Sequence, residues 1–256
     1  MKKTLFAATL VAALSITSMA AKQKPAVSQH LAGSDEATVL DPSKGIPPPL
    51  CNPCLFYGGD VNPADPNAAG TSDENTLYVP GSPTYAAYEV PSGISVKVTG
   101  ILFNVQASAN FDPVTASYDV RTGVSEGNGG TSIASGTGNI TVQATGRTFN
   151  TLNEYTLFVS LAQPLDLSEG EYWFNLTPNC TNGAVDGSCY LGQMFFSNTT
   201  QDTNGVHPLA QPNAQMYLNS AFFGFTWTNW CNSALGFNAA QCRAGSYGLI
   251  GVGKKD

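Results

Sequence analysis

ISVKVTGILFNV, residues 94–105, is the stretch that decides the fold. Ile94, Val96 and Val98 alternate with Ser95 and Lys97, which is the two-residue period of a half-buried strand; a helix would bring apolar residues back every three or four positions. The alternation changes at Gly100, where the pattern predicts a bulge or a bend. The same period recurs on either side. Ala116, Tyr118 and Val120 share one face against Ser117 and Asp119, and Tyr155, Leu157, Val159 and Leu161 fall in register over 155–161.

Shorter runs follow the same logic at 84–90, 131–134, 140–144, 172–176, 190–196, 216–225 and 247–252. Gly, Pro, Asn or Ser bounds each of these roughly ten runs, and 124–130 (VSEGNGG) reads as a turn. No segment after residue 20 carries a helical face. The expected architecture is therefore all-β: a jelly-roll-like β-sandwich with long disulfide-stapled loops, occupying 51–256 as one domain.

The first twenty residues differ from the rest. Lys2 and Lys3 precede an apolar stretch over 5–16, and Ser18-Met19-Ala20 is a small-x-small cleavage signature, so 1–20 reads as a secretory signal peptide. The apolar stretch is shorter than the roughly 20 residues of a membrane span, and no later run reaches that length. Residues 21–50 are polar and proline-rich, without periodicity, and read as a flexible arm. Cleavage would move the formal charge from -7 to -9 by removing Lys2 and Lys3. The expected location is secreted or periplasmic, with the cell surface as a further station.

Six cysteines, an even number, agree with an oxidising compartment: Cys51, Cys54, Cys180, Cys189, Cys231 and Cys242. Spacing favours neighbours, Cys180 with Cys189 and Cys231 with Cys242. Cys51-Asn52-Pro53-Cys54 follows a polyproline stretch, a poor start for the helix that a redox C-x-x-C needs, so a local disulfide is the leading expectation. A distant pairing or a zinc site is the alternative for that pair.

Composition excludes several functions. Eleven Lys and Arg against eighteen Asp and Glu leave no clustered basic surface for phosphate backbones, so nucleic acid is not an expected partner. Only His30 and His207 exist, far apart and without a G-x-S-x-G turn, which disfavours a serine triad or a histidine-rich metal centre. Gly127-Asn128-Gly129-Gly130 lacks the Lys of a phosphate loop.

Three sets of residues remain as candidates. Asp60, Asn62, Asp65, Asn67 and Asp73 offer hard oxygen donors in a turn-rich loop over 55–75, so a structural calcium ion is the one cofactor considered, against an ordinary Asx-turn loop. Trp227 and Trp230, three apart beside Cys231, are the pair best placed for an exposed sugar-stacking platform. Glu154 heads a strand and is the best acid for glycoside hydrolysis, with no second carboxylate paired to it by spacing; Asp119, Glu126 and Glu171 are weaker.

Tyr57-Gly58-Gly59-Asp60 through Gly70, Gly146-Arg147 through Thr156, and Gly170-Glu171-Tyr172-Trp173-Phe174 together resemble a group of uncharacterised, secreted bacterial β-sandwich proteins. The resemblance implies fold and export and carries no activity. Proteins of that look often bear surface-sorting tails, whereas this sequence runs to Gly253-Lys254-Lys255-Asp256. The leading expectation is an exported, non-enzymatic structural or adhesive β-sandwich of the cell surface or matrix. Its partner would be a second copy, reached through the N-terminal arm or an open sheet edge. A carbohydrate-binding module is the alternative, with polysaccharide as partner, and a glycoside hydrolase stands third.

Overall fold

The computed structural model describes residues 50–61, 65, 68–108, 111–149, 151–185, 187–199, 216–232, 235 and 244–255. The expected signal peptide, all of the arm but Leu50, and Asn62, Asn67, His30, His207 and Cys242 lie outside the described residues. What is described is all-β: one curled, almost wholly antiparallel sheet, with a 3-10 turn at Gly187–Cys189 and no α-helix among the described residues.

The hub is β5 (Ile94–Ala107), built from the stretch that alternates so clearly in sequence. One side of it pairs with β8 (Leu152–Leu167) along almost its whole length. On the other side lie β13 (Tyr247–Lys255) and, at 105–107, β10 (Met194–Ser197). The register of β5 shifts against β8 between Val98 and Gly100, so the predicted bulge is present. Its consequence is a change of parity. Val96 and Val98 reach the main core before the bulge, while Ile101, Phe103 and Val105 reach it afterwards. The even positions that follow, Leu102, Asn104 and Gln106, face the opposite way and are nonetheless buried.

Their cover comes from the chain's beginning. The loop read as turn-rich over 55–75 contains short strands: β1 (Cys54–Tyr57) pairs with β13, β2 (Gly70–Ser72) with β10, and β3 (Asn75–Thr76) lies parallel to β9 (Gly170–Cys180). Cys51, Cys54, Tyr57, Leu102 and Ile250 form a small second core under this cover, with Phe158 packed against it.

The sheet continues from β8 through β7 (Thr131–Phe149), β6 (Thr115–Thr122), β9, β4 (Thr84–Val90) and β11 (Met216–Ser220) to β12 (Phe225–Asn229). The runs expected separately at 131–134 and 140–144 are one strand, β7, and it is where the sheet curls. Its first half pairs with β6 up to Asn139, and its second half pairs with β8 from Ile140 onward. The β7–β8 hairpin therefore forks. Beyond the fork, the Ala162 N–H has left its hairpin partner and donates to the Tyr118 hydroxyl of β6 at 3.4 Å.

Gly138 sits in the fork because a Cβ there would stand 2.8 Å from Val159 Cγ2, a fully buried, branched side chain with little room to turn. The run expected over 216–225 is a hairpin, β11–β12, since Ala221-Phe222-Phe223-Gly224 turns the chain with a left-handed Gly224. Tyr190, expected in a strand, lies in a turn before β10. The main core joins both halves of the curl, with Tyr88, Tyr118, Phe174 and Leu176 from one and Phe103, Leu157 and Tyr247 from the other.

The fork predicts that Gly138→Ala lowers the unfolding free energy by about 1–3 kcal/mol, as overpacking of a closed site does. Urea denaturation with an unchanged slope would confirm a local clash without a changed fold.

Candidate functional site

β5 and β8 set the first cluster side by side. Asn104 opposes Thr156 and Gln106 opposes Glu154, with all four side chains buried beneath the N-terminal cover. Buried polar groups need partners, and most of these have them. Thr156 Oγ1 donates to Asn104 Oδ1 at 2.7 Å, and Asn104 Nδ2 donates to Tyr57 Oη at 2.8 Å and to Ser246 Oγ at 2.7 Å. Gln106 Nε2 donates to Ser197 Oγ at 3.2 Å. The Tyr57 hydroxyl donates to Asp60 Oδ1.

Arg147, from the far half of β7, closes the network. Its Nη2 stands 2.8 Å from Asp60 Oδ1, and its Nε stands 2.5 Å from Glu154 Oε2. Thr145 Oγ1 adds a hydrogen bond to the same Glu154 oxygen at 3.0 Å. Glu154 is 1% exposed, and its second oxygen has no hydrogen-bond partner. Burial raises its pKa, and Arg147 opposes the rise. Tyr57 is pushed well above its usual value, by burial first and by Asp60 second.

The acid picked out in sequence, Glu154, and the loop carboxylate Asp60 thus meet on one guanidinium. A glycosidase holds its two carboxylates apart across an open cleft; here one cation bridges them and the acid is sealed from solvent.

A second cluster takes Asp73, which sequence grouped with Asp60. Asp73 is fully buried beside β4 and β9. Its Oδ1 accepts from Thr84 N at 3.1 Å, Thr177 Oγ1 at 2.7 Å and Asn175 Nδ2 at 3.3 Å, and its Oδ2 has no partner. Glu74, buried next to it, accepts from Ser72 Oγ at 3.1 Å and Thr76 Oγ1 at 3.5 Å. Burial drives both pKa values to about 7, against the donors' pull, and the charge of Glu74 adds to the rise at Asp73. None of the ion pairs among the described residues reaches either group.

Of the five proposed calcium donors, Asn62 and Asn67 lie outside the described residues, and the described carboxylates Asp60 and Asp73 fall in different clusters. Asp60 serves Arg147 and Asp73 belongs elsewhere, Asp65 stands between residues that are not described, and among the described residues no group of three His, Cys, Asp or Glu could hold a metal ion.

The two tryptophans part company as well. Trp230, 1% exposed, enters the main core, whereas Trp227, 9% exposed, joins Tyr85, Ala87, Val124, Trp173 and Tyr217 on the opposite face of the sheet. The backbone between them is irregular: Trp227 has a left-handed φ of 47° where β12 shifts register against β11, and Trp230 lies in the turn that follows the strand. Trp227 is covered by the β6–β7 turn: a Cβ on Gly129 would stand 2.4 Å from its ring, and Arg121 Cζ lies 5.0 Å from the ring centroid. Arg121 is held in turn by Asp119 at 2.6 Å, which also accepts from Tyr85 and Ser132. Glu126 accepts from the Asn229 N–H at 2.8 Å and ties the turn to β12. Glu171 pairs across strands with Glu89, and its pKa is raised by partial burial and by that neighbour.

Cys51–Cys54 and Cys180–Cys189 are disulfides, as expected, and Cys231 is also disulfide-bonded. They suit an oxidising extracellular or periplasmic environment. No helix among the described residues is long and apolar enough to cross a membrane. Comparison with protein-family models, curated proteins and solved structures finds no match to this chain.

Two predictions follow from the carboxylates. Asp73 and Glu74 are more easily protonated folded than unfolded, so stability is greatest below about pH 4 as far as these two groups go. It should fall as pH rises towards about 7, on the order of 4 kcal/mol for Asp73 alone, and level off above. Urea midpoints between pH 4 and 8 should show this slope, and Asp73→Asn should flatten it. Arg147→Met leaves Glu154 buried without its cation, at a cost of about 3–5 kcal/mol at pH 8 that shrinks as pH falls, because the guanidinium no longer opposes the upward shift of the carboxyl. Adding Glu154→Gln to that variant should restore much of the loss, which a double-mutant cycle measures.

Proposed function

We propose that this chain is an exported structural or adhesive protein of the cell surface or matrix, a jelly-roll-like β-sandwich whose copies join edge to edge along β7. The observation that carries this reading is β7 itself. It runs 19 residues without a single buried one. Arg147 is its only charged residue, and that one is engaged by Asp60 and Glu154. At each position β7 has at most one paired strand among the described residues, so one row of backbone donors and acceptors stays open in each half. Proteins that avoid association guard such edges with Lys, Pro or short length, and β7 uses none of these.

Strand addition needs only backbone hydrogen bonds and a Thr- and Ser-rich flank with little charge, which β7 supplies over Thr131–Phe149. The sandwich reading is supported by the curl at the fork and by a core that both halves of the sheet share. A non-enzymatic role is supported by the sealing of Glu154, Asp73 and Glu74. Carbohydrate binding through Trp227 and Trp230 keeps less support, because both rings are covered.

Analytical ultracentrifugation over a hundredfold concentration range should show reversible association of the oxidised protein. Ser135→Lys with Thr141→Lys, both at exposed positions of β7, should shift it to monomer without lowering the unfolding midpoint. Association that survives these charges but disappears when 21–49 are deleted would assign the donor strand to the arm. A protein that stays monomeric throughout would end the reading.

A further inference from the structure

Six of the nine large hydrophobic side chains that stand exposed among the described residues gather in three loops: Leu77, Tyr78, Val185, Leu191, Phe222 and Phe223. The loops are 77–83 before β4, 181–193 between β9 and β10, and 220–224 at the β11–β12 turn. Register places them at one end of the molecule. β9 and β11 stop there and β4 begins there, as the pairs Thr76–Cys180 and Leu218–Thr84 require. The loops also touch: the Leu77 N–H donates to Tyr190 O at 3.4 Å, and the Asn219 N–H donates to Pro83 O at 3.0 Å.

The hairpin tip presents two exposed rings in defined geometry. Phe222 is 53% exposed and Phe223 45%, their rings edge to face with centroids 4.9 Å apart. The Phe223 N–H donates to Ser220 Oγ at 3.4 Å and the Gly224 N–H to Ala221 O at 3.3 Å, so the turn is braced from within. Tyr78, 61% exposed, presents a third ring from the adjoining loop.

Charge decides what covers this end. Across the three loops the sequence holds one charged residue, Asp186, and no Lys or Arg. We infer that this end inserts its loop tips into the interfacial layer of an uncharged or zwitterionic lipid surface. Tyr78 has the polar edge that settles a ring at that depth, the Phe222 and Phe223 rings add apolar area, and loops with a single charge lose little hydration on entering it. An anionic bilayer repels a chain of net charge -7 that brings no basic residue to the contact. A second copy is a poorer occupant. A stable protein interface buries about 800 Å² on each side in one complementary patch, whereas these side chains stand on three separate tips, which a fluid phase can surround one by one.

The test uses the oxidised full chain carrying Phe222→Trp, mixed with vesicles of phosphatidylcholine brominated along its acyl chains. The chain's own tryptophans are covered, so the added fluorescence reports on the hairpin tip itself, whatever else in the chain meets lipid. The expected result is a blue shift and quenching of that added fluorescence. Introducing Tyr78→Ser and Phe223→Ser into the same chain should raise the lipid concentration for half-maximal quenching at least tenfold, with the near-ultraviolet circular dichroism intact. An added indole that stays unquenched at saturating lipid would overturn the inference. So would quenching that requires anionic lipid, or a dimer in lipid-free buffer that Phe222→Ser with Phe223→Ser abolishes.

Discussion

The burial of both faces of β5 constrains everything around it. After the bulge at Gly100, Ile101, Phe103 and Val105 point into the main core, while Leu102, Asn104 and Gln106 point into a second covered layer. Two amides in that layer demand hydrogen bonds, because a buried polar group left unpaired costs about 1–3 kcal/mol. Their partners come from across the chain: Tyr57 from the first described segment, Ser197 from β10, Ser246 just before β13 and Thr156 from β8. The stapled N-terminal loop is therefore held by polar chemistry at its centre, and apolar packing around Leu102 and Ile250 closes its edge.

The same layer explains why Arg147 belongs where it is. β7 is otherwise uncharged, and its single cation leaves the strand's open side to bridge Asp60 and Glu154. An ion pair of this kind adds little net stability once desolvation is counted, but removing one partner strands the other. Its contribution is to specify which segment covers the sheet: the loop bearing Asp60 must lie against the far half of β7. Asp73 and Glu74 follow a different rule, since none of the ion pairs among the described residues reaches them and protonation near pH 7 relieves their burial.

Charge is distributed to match. Of the five described basic residues, Arg121 and Arg147 are spent on internal pairs, Lys97 faces Asp166, and Lys254 and Lys255 stand exposed at the end of β13. Along β7 the outward side chains are mainly polar with Arg147 the one charge, and the loops around Tyr78 and Phe222 present apolar side chains. Surfaces with so little charge give up little hydration when they are covered.

Strands were legible in sequence wherever one face alone was buried. Ala116, Tyr118 and Val120, or Tyr155 through Leu161, announce themselves because solvent occupies the other side. The bulge at Gly100 was legible too, since it breaks the period. The disulfides at Cys51–Cys54 and Cys180–Cys189 followed from short spacing. The second half of β5 was opaque, because cover on both faces erases alternation. β7 looked like two strands, since its polar side chains carry no inward stripe to join them.

The meeting of Glu154 with Asp60 had no signal in sequence: 94 positions separate them, and only the fold brings Arg147 between them. Trp227 and Trp230 misled for the opposite reason. They are close along the chain, but a left-handed Trp227 at the β11–β12 register shift and a turn at Trp230 put the two rings in different cores, which spacing alone does not reveal. Local periodicity, turn chemistry and cysteine spacing are properties of short segments, so the sequence by itself determined the all-β class and the staples. Which faces are covered, which carboxylates share a cation and which edge stays open depend on contacts between distant segments, and only the tertiary structure decided them.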